Sequence, residues 1–460
     1  TPKASKSVRS RSCAAHKQSM AGGALENAPP NVSDLVSDLI CTHNGFMQAS
    51  SPRSLALPVL TGAYVLSQFY RSYVAVIATQ LIDDFGFTPQ MFGFFAGAFY
   101  FTFAIAQLPL GIAFDRFGVR RPVLFCIALG SVGAIALPLT HSIPVAIFSQ
   151  VALGIGCAPL YMGLLNFVLK SGNGPRQVRI VTLASALGYL GAIVAGLPLA
   201  WGVASFGWRA AVMVMGLLMV LATIGIFLTL KEAPVPAVSG DTPQSTSTTS
   251  TTTASPKQTT ASRIAFSALV LVCFALLVGG TFRMSWGGPY LSDIFQFDVI
   301  QRGYAMTSAS LVAMCWALLM PRALRLCSVK TLIACAFAVG MSAALVLLAA
   351  PALNAYLAVA LICVMFCAGS VHPLVMSQAR SVVPARRLGL WLGVLNSMVF
   401  LGVAVSNSSF GWIAERAVQS GLPLANMYGS MFAFTAVIMC IGLISSLFSP
   451  ATQRATGKPA

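Results

Sequence analysis

Residues 91–121 read MFGFFAGAFYFTFAIAQLPLGIAFDRFGVRR. The first 24 of them, 91–114, carry no charged side chain, and the last seven carry Asp115, Arg116, Arg120 and Arg121. A helix rises ~1.5 Å per residue and needs about 20 apolar residues to cross a bilayer core of ~30 Å. An uncharged run of that length that stops on a cluster of charges is a membrane span meeting water.

Outward from this stretch the pattern repeats. Apolar runs at 55–81, 91–114, 122–140, 143–169, 180–203, 210–230, 264–292, 303–320, 331–350, 354–378, 388–413 and 427–448 predict twelve spans. Of the 460 residues 57% are hydrophobic and 8% charged, with a mean hydropathy of +0.81. Soluble domains carry about 25% charged residues. A soluble enzyme, a disordered chain and a nucleic-acid-binding protein are therefore excluded, despite a net charge of +17. The predicted fold is an all-α polytopic membrane protein, with twelve transmembrane helices in two six-helix bundles.

The rest of the chain sets the boundaries. Residues 1–54 hold six basic residues among scattered Ser, Pro and Asn, without an apolar run long enough for a signal-peptide core. They read as a disordered cytoplasmic tail, with Met20 and Met47 as alternative starts. Residues 55–230 are the N-terminal bundle. The Ser/Thr/Pro-rich segment 231–263 cannot bury a core and reads as a cytoplasmic linker. Residues 264–449 are the C-terminal bundle, and 450–460 a cytoplasmic tail. Equal halves about a polar linker suggest a duplicated six-helix unit.

Lys and Arg set the orientation. The tail has six, the loops after spans two, four, six, eight and ten have three each, and the C-terminus has Arg454 and Lys458. The opposite loops have only Arg209, Arg302 and Arg416. By the positive-inside rule both termini are cytoplasmic, in a bacterial inner (plasma) membrane. No Cys falls in an outer loop, so no structural disulfide is expected.

Two arginines remain, and both are inside spans. Arg71 lies ten residues before the end of the first run and Arg283 nine before the end of the seventh, depths of ~15 and ~14 Å. Their surroundings match: FYR then LIDDFGF, and TFR then LSDIFQF, as if one position recurred in two repeats. A midplane Arg costs roughly 2.5–3.5 kcal/mol on insertion scales, yet none of the eleven acidic residues lies mid-span. A small anionic substrate is the expected partner, because a guanidinium fork matches a carboxylate or phosphate bidentately. Tyr64 and Gln68 share a helical face with Arg71, and Trp286 follows Arg283 by three. These five residues are the predicted substrate site. Gly287, Gly288 and Pro289 loosen the seventh span, as in discontinuous transporter helices. His372, the one His within a span, is the candidate for proton coupling. Asn166 and Asn396 are weaker polar candidates.

The loop GIAFDRFGVRR, residues 111–121, resembles the signature loop of the major facilitator superfamily: Gly, three residues, Asp-Arg, one residue, Gly, one residue, two basic residues. FGWR at 206–209 and GIG at 154–156 agree with it. The resemblance covers about 55–449. It implies a gating motif of Gly111, Asp115, Arg116, Gly118, Arg120 and Arg121, in which Gly111 permits close helix packing and Asp115 steadies one conformation. Two departures stand out. Gln150 occupies the position where the family's fourth helix usually has Arg, which argues against drug–proton antiport of the usual kind. The loop 320–330, MPRALRLCSVK, is a degraded copy of the signature without its Asp.

Paired arginines on spans one and seven resemble the organophosphate–phosphate antiporters and their organic-anion relatives. The expected function is secondary active transport of a small organic anion, a carboxylate or phosphate ester, by alternating access. Protons or a counter-anion are the coupling partners, the protein acts as a monomer, and no cofactor, metal or enzymatic activity is expected. The alternatives are a neutral-solute or drug exporter, a nitrate or nitrite carrier, and a transport-dead sensor or scaffold.

Overall fold

The computed structural model describes residues 52–169, 175–230, 260–383 and 388–449. The expected N-terminal tail, most of the linker and the C-terminal tail lie outside the described residues. Among those described there is no β-strand. A bilayer offers the backbone no hydrogen-bond partner, so each span satisfies its own amides as a helix.

The first span is two helices, α1 (Pro52–Tyr70) and α2 (Val74–Phe85), parted at 71–73. Next come α3 (Pro89–Phe117), α4 (Arg120–Leu139) and α5 (Ile143–Leu169). The fifth span is α6 (Pro175–Val194) and α7 (Leu197–Phe206), and the sixth is α8 (Trp208–Thr229). The seventh combines α9 (Thr260–Ala275), a 3₁₀ turn, the π-helical turn Phe282–Trp286 and α10 (Gly287–Phe295). Then follow α11 (Val299–Leu326) and α12 (Val329–Ala349). The tenth span is α13 (Ala355–Ala368), a 3₁₀ turn and α14 (His372–Val382), and the last two are α15 (Leu388–Gln419) and α16 (Leu424–Phe448). Eleven spans are long and apolar enough to cross a membrane, and the broken α1–α2 pair supplies the twelfth. This is the all-α integral membrane architecture expected.

Local chemistry sets the ends. The Thr88 hydroxyl accepts from the Met91 amide at 3.3 Å, and Pro89 occupies a first turn that needs no N–H. Asp298 and Gln301 form a reciprocal capping box at the start of α11. α2 and α10 both end in the left-handed region, at Gly86 (φ 62°) and Gln296 (φ 56°).

The same joints are made twice. Asp84, at the end of the first span, accepts from the Trp208 indole at 2.6 Å, and Asp293, at the end of the seventh, accepts from the Tyr428 hydroxyl at 2.6 Å. Arg120 donates to the Phe227 carbonyl at 3.2 Å, and Lys330, 210 positions on, to the Leu447 carbonyl at 2.6 Å. These recurrences are the structural counterpart of the sequence match between spans one and seven.

The face where α1 begins and α16 ends is termed the terminal face, and its opposite the far face. The first six and last six spans meet closely in their far-face halves. A Cβ on Gly93 would stand 2.8 Å from Gly411 Cα, one on Gly288 would strike the Ala75 carbonyl, and one on Gly303 would lie 3.1 Å from Leu197 Cα. Arg302 adds a bond to Thr79 at 2.5 Å. On the terminal-face side, α14 packs chiefly on α9, α12 and α15, all from the last six spans. The protein is thus closed on its far face.

Candidate functional site

The breaks in spans one, five and seven converge, and breaking a helix frees carbonyls that must find donors. The Arg71 carbonyl receives the Tyr100 hydroxyl. The Ser72 carbonyl receives Arg283 Nη1 at 3.4 Å, and the Ala192 carbonyl, near the break in span five, receives Arg283 Nη2 at 2.8 Å. Ser310 on α11 accepts from Arg283 Nε at 3.2 Å and Nη2 at 2.7 Å. Arg283 is fully buried and its fork is filled by protein oxygens. It ties spans one, five, seven and eight together.

Arg71 is arranged differently. Its Nη1 makes one long bond, 3.5 Å to Gln68 Oε1, and Gln68 Nε2 donates to the Tyr64 hydroxyl at 2.7 Å. The face predicted from spacing is therefore assembled as Tyr64–Gln68–Arg71. The rings of Phe103 and Phe400, one from each half of the chain, pack on each other at 4.3 Å and lie 4.5 and 5.1 Å from the guanidinium on the same side of it. Arg71 Nε is buried and has no acceptor. Among the described residues no carboxylate bonds either arginine. The Tyr64 ring rests 5.1 Å from that of Tyr161, and Tyr189 lies within electrostatic reach of Tyr64.

His372 opens α14 beside the Gly369–Val371 turn, so a fourth break joins the cluster. Its ring faces Asn396 and is within electrostatic reach of Arg71, and its Nε2 has no partner. Asn166, the other amide candidate, donates to its own helix at the Met162 carbonyl. Trp286 is not brought to Arg71. It packs 5.1 Å from Phe92 and 6.3 Å from Phe410, lining a far-face cavity of about 250 Å³ with Asp83, Asp293 and Tyr428. The expectation of three-residue spacing assumed a regular helix. The π turn Phe282–Trp286 is wider per turn and swings the indole off Arg283's face.

Sequence reading passed over Ser310, Tyr100, Phe103 and Phe400. Nothing in the sequence separates these two Phe from the 29 in the chain. The conspicuous polar residue of span four, Gln150, donates to the Tyr73 hydroxyl at 2.9 Å rather than to the arginines.

Gly118 ends α3 at φ 72°, a turn that a side chain would strain. Arg120 bonds the end of α8 and stacks 5.6 Å from Phe227, Arg121 is also engaged, and Arg116 is exposed in the last turn of α3. Gly111 departs from expectation. A Cβ there would meet nothing within 4 Å, so it permits no close packing in this state. The Asp115 side chain lies outside the described residues. In the GIG stretch, by contrast, a Cβ on Gly156 would stand 2.4 Å from Gly130 Cα.

Comparison with known proteins places this geometry. A family model described as Major Facilitator Superfamily matches residues 60–407. The chain is 23% identical over 195 residues to the "Probable L-galactonate transporter" of Escherichia coli (strain K12), covering 42% of this chain and 43% of that protein. It is 23% identical over 152 residues to the "Probable galactarate/D-glucarate transporter GudP" of the same organism, covering 32% and 34%. The matches therefore span less than half the length of these curated relatives. Among solved structures, a D-xylose-proton symporter superposes with a TM-score of 0.68 at 14% identity, over 88% of this chain and all of that one. A bacterial homologue of the human lysosomal transporter Spinster, inward-facing and occupied, gives 0.60 at 17% identity, over 87% and 97%. Twelve spans among the described residues, an architecture shared with these transporters and a family match across most of the chain lead to one conclusion: the chain belongs to the major facilitator superfamily.

Proposed function

We propose that the chain is a secondary transporter that carries a small organic anion across a bacterial inner membrane by alternating access, with both termini cytoplasmic. The observation that carries this reading is Arg71, a cation set among helix breaks with one long hydrogen bond, an orphaned Nε and no carboxylate beside it. A mid-membrane charge needs a partner, and here the partner comes from outside the chain. In this reading the two arginines divide the work. Arg71 takes the anion through its open fork, and Arg283 holds the Ser72 carbonyl, next to Arg71, so that the fork is aimed. The sugar-acid names of the two relatives support a carboxylate over a phosphate ester.

Closure on the far face gives the site access from the terminal face, and the reverse state requires Arg302–Thr79 and the Gly93–Gly411 contact to part. An empty site leaves Arg71 uncompensated during that crossing. This favours obligatory exchange of one anion for another, with His372 as the route for proton symport if exchange fails. The reading is tested with purified protein in proteoliposomes. Labelled D-galactonate should enter vesicles preloaded with the same anion. Equal uptake by the Arg71→Ala protein would reject the anion site.

A further inference from the structure

We propose that this site selects a monovalent, hydroxylated carboxylate and rejects dianions of the same size. The inference rests on the anion-transport reading and narrows it. Of the two buried arginines only Arg71 offers donors, because Arg283 is spent on Ala192, Ser72 and Ser310. Among the described residues the cluster of helix breaks therefore holds one open guanidinium. The rings of Phe103 and Phe400 pack on each other at 4.3 Å and lie together on one side of its guanidinium, and in the guanidinium plane a single carboxylate meets Nε and Nη together. A second anionic group has no cation to meet at that depth, and an unpaired charge there is strongly disfavoured.

The remainder of the lining suits hydroxyls. The Tyr64 hydroxyl has an N–H donor in Gln68, and Tyr161 and Tyr189 place phenols around it. His372 Nε2 is buried and unpartnered next to Asn396. Groups of this kind form hydrogen bonds with a polyol chain and are left unpaired by an alkyl chain, which makes a site discriminate steeply between the two. The two sugar-acid relatives differ on this point. Galactonate carries one carboxylate and galactarate two, and the geometry sides with galactonate.

The test is competition against labelled D-galactonate uptake by five unlabelled probes: D-galactonate, galactarate, 6-phosphogluconate, hexanoate and D-galactose. D-galactonate should compete about 100-fold better than galactarate and 6-phosphogluconate, the factor expected for one uncompensated midplane charge. Hexanoate should be at least about tenfold weaker than D-galactonate. The Asn396→Lys protein, with a second cation beside His372, should compress or invert the ratio of galactonate to galactarate, and His372→Gln should leave it unchanged. Galactarate competing as well as galactonate in the wild type overturns the monoanion assignment while anion transport stands. Hexanoate equal to galactonate overturns the polyol part. Competition by D-galactose alone, or by none of the five, overturns the anion reading itself.

Discussion

Arg71 and Arg283 sit on the first and seventh spans at nearly the same depth, and neither has a carboxylate. One is open and the other is satisfied. The caps put them two residues out of step. Arg71 is 15 residues before the left-handed cap at Gly86, and Arg283 is 13 before the equivalent cap at Gln296. The two side chains leave their spans toward different neighbours, Arg71 toward Gln68 and the aromatic pair, Arg283 toward spans five and eight. A shared depth in the membrane does not make a shared role, since the acceptors that each fork meets are different.

Truncating both arginines should separate the roles, and Arg71 gives the larger functional effect. Arg71→Ala should remove uptake by at least about 100-fold, since two charge-assisted hydrogen bonds of roughly 1.5–3 kcal/mol each are lost with the bound anion. Its melting temperature in detergent should be unchanged, because Arg71 makes one long bond to the protein. Arg71→Lys should rescue poorly, as an ammonium lacks the planar fork that meets a carboxylate with two parallel hydrogen bonds. Normal affinity in both variants would erase the distinction.

Arg283→Ala should act on stability instead. It strands the Ser72 carbonyl, at roughly 1–3 kcal/mol, and leaves the Ala192 carbonyl with only the 3.4 Å bond from the Ser310 hydroxyl. The expected readout is a melting temperature lowered by several degrees, with D-galactonate affinity in the surviving folded fraction falling less than in Arg71→Ala, since the fork is misaimed but still present. An unchanged melting temperature with affinity lost would make Arg283 a ligand after all.

The sequence exposes the spans because twenty apolar residues in a row have no other stable place. It also exposes the Tyr64–Gln68–Arg71 face, since spacing of three and four holds wherever the helix is regular. It hides the break at 71–73, where YRSY contains neither Gly nor Pro. The π turn is hidden too, and with it the position of Trp286. The match of FYR to TFR pairs letters that the caps place two residues out of step. Carbonyl acceptors such as Ala192 leave no trace in side-chain identity, so the filled fork of Arg283 could not be read in advance.

His372→Gln probes what accompanies the anion, and a smaller effect is expected. In the exchange reading, anion-loaded vesicles take up labelled substrate without a pH gradient, empty ones do not, and the variant keeps most of the exchange rate. Robust uptake into empty vesicles driven by a pH gradient alone, and lost in His372→Gln, would replace exchange with proton symport. It would also add a second cation to the Arg71 side of the comparison.

The smallest effect belongs to the caps that set the register. Gln296 is the one non-glycine residue with positive φ among the described residues, at the position where the first repeat has Gly86. The left-handed region costs an L-residue roughly 1–2 kcal/mol relative to glycine. Part of that is recovered where Gln296 Nε2 donates to the Asp293 carbonyl at 3.1 Å. Glycine also has more backbone freedom to lose on folding. Gln296→Gly should therefore stabilise by only about 0.5–1 kcal/mol, a rise of a degree or two in melting temperature, without changing uptake. Gly86→Gln should destabilise by about 1 kcal/mol or more, since no recovered hydrogen bond is built there. If Gln296→Gly were destabilising instead, the cap would not be held by the backbone conformation it shares with Gly86. The two-residue offset between the arginines would then lose its anchor.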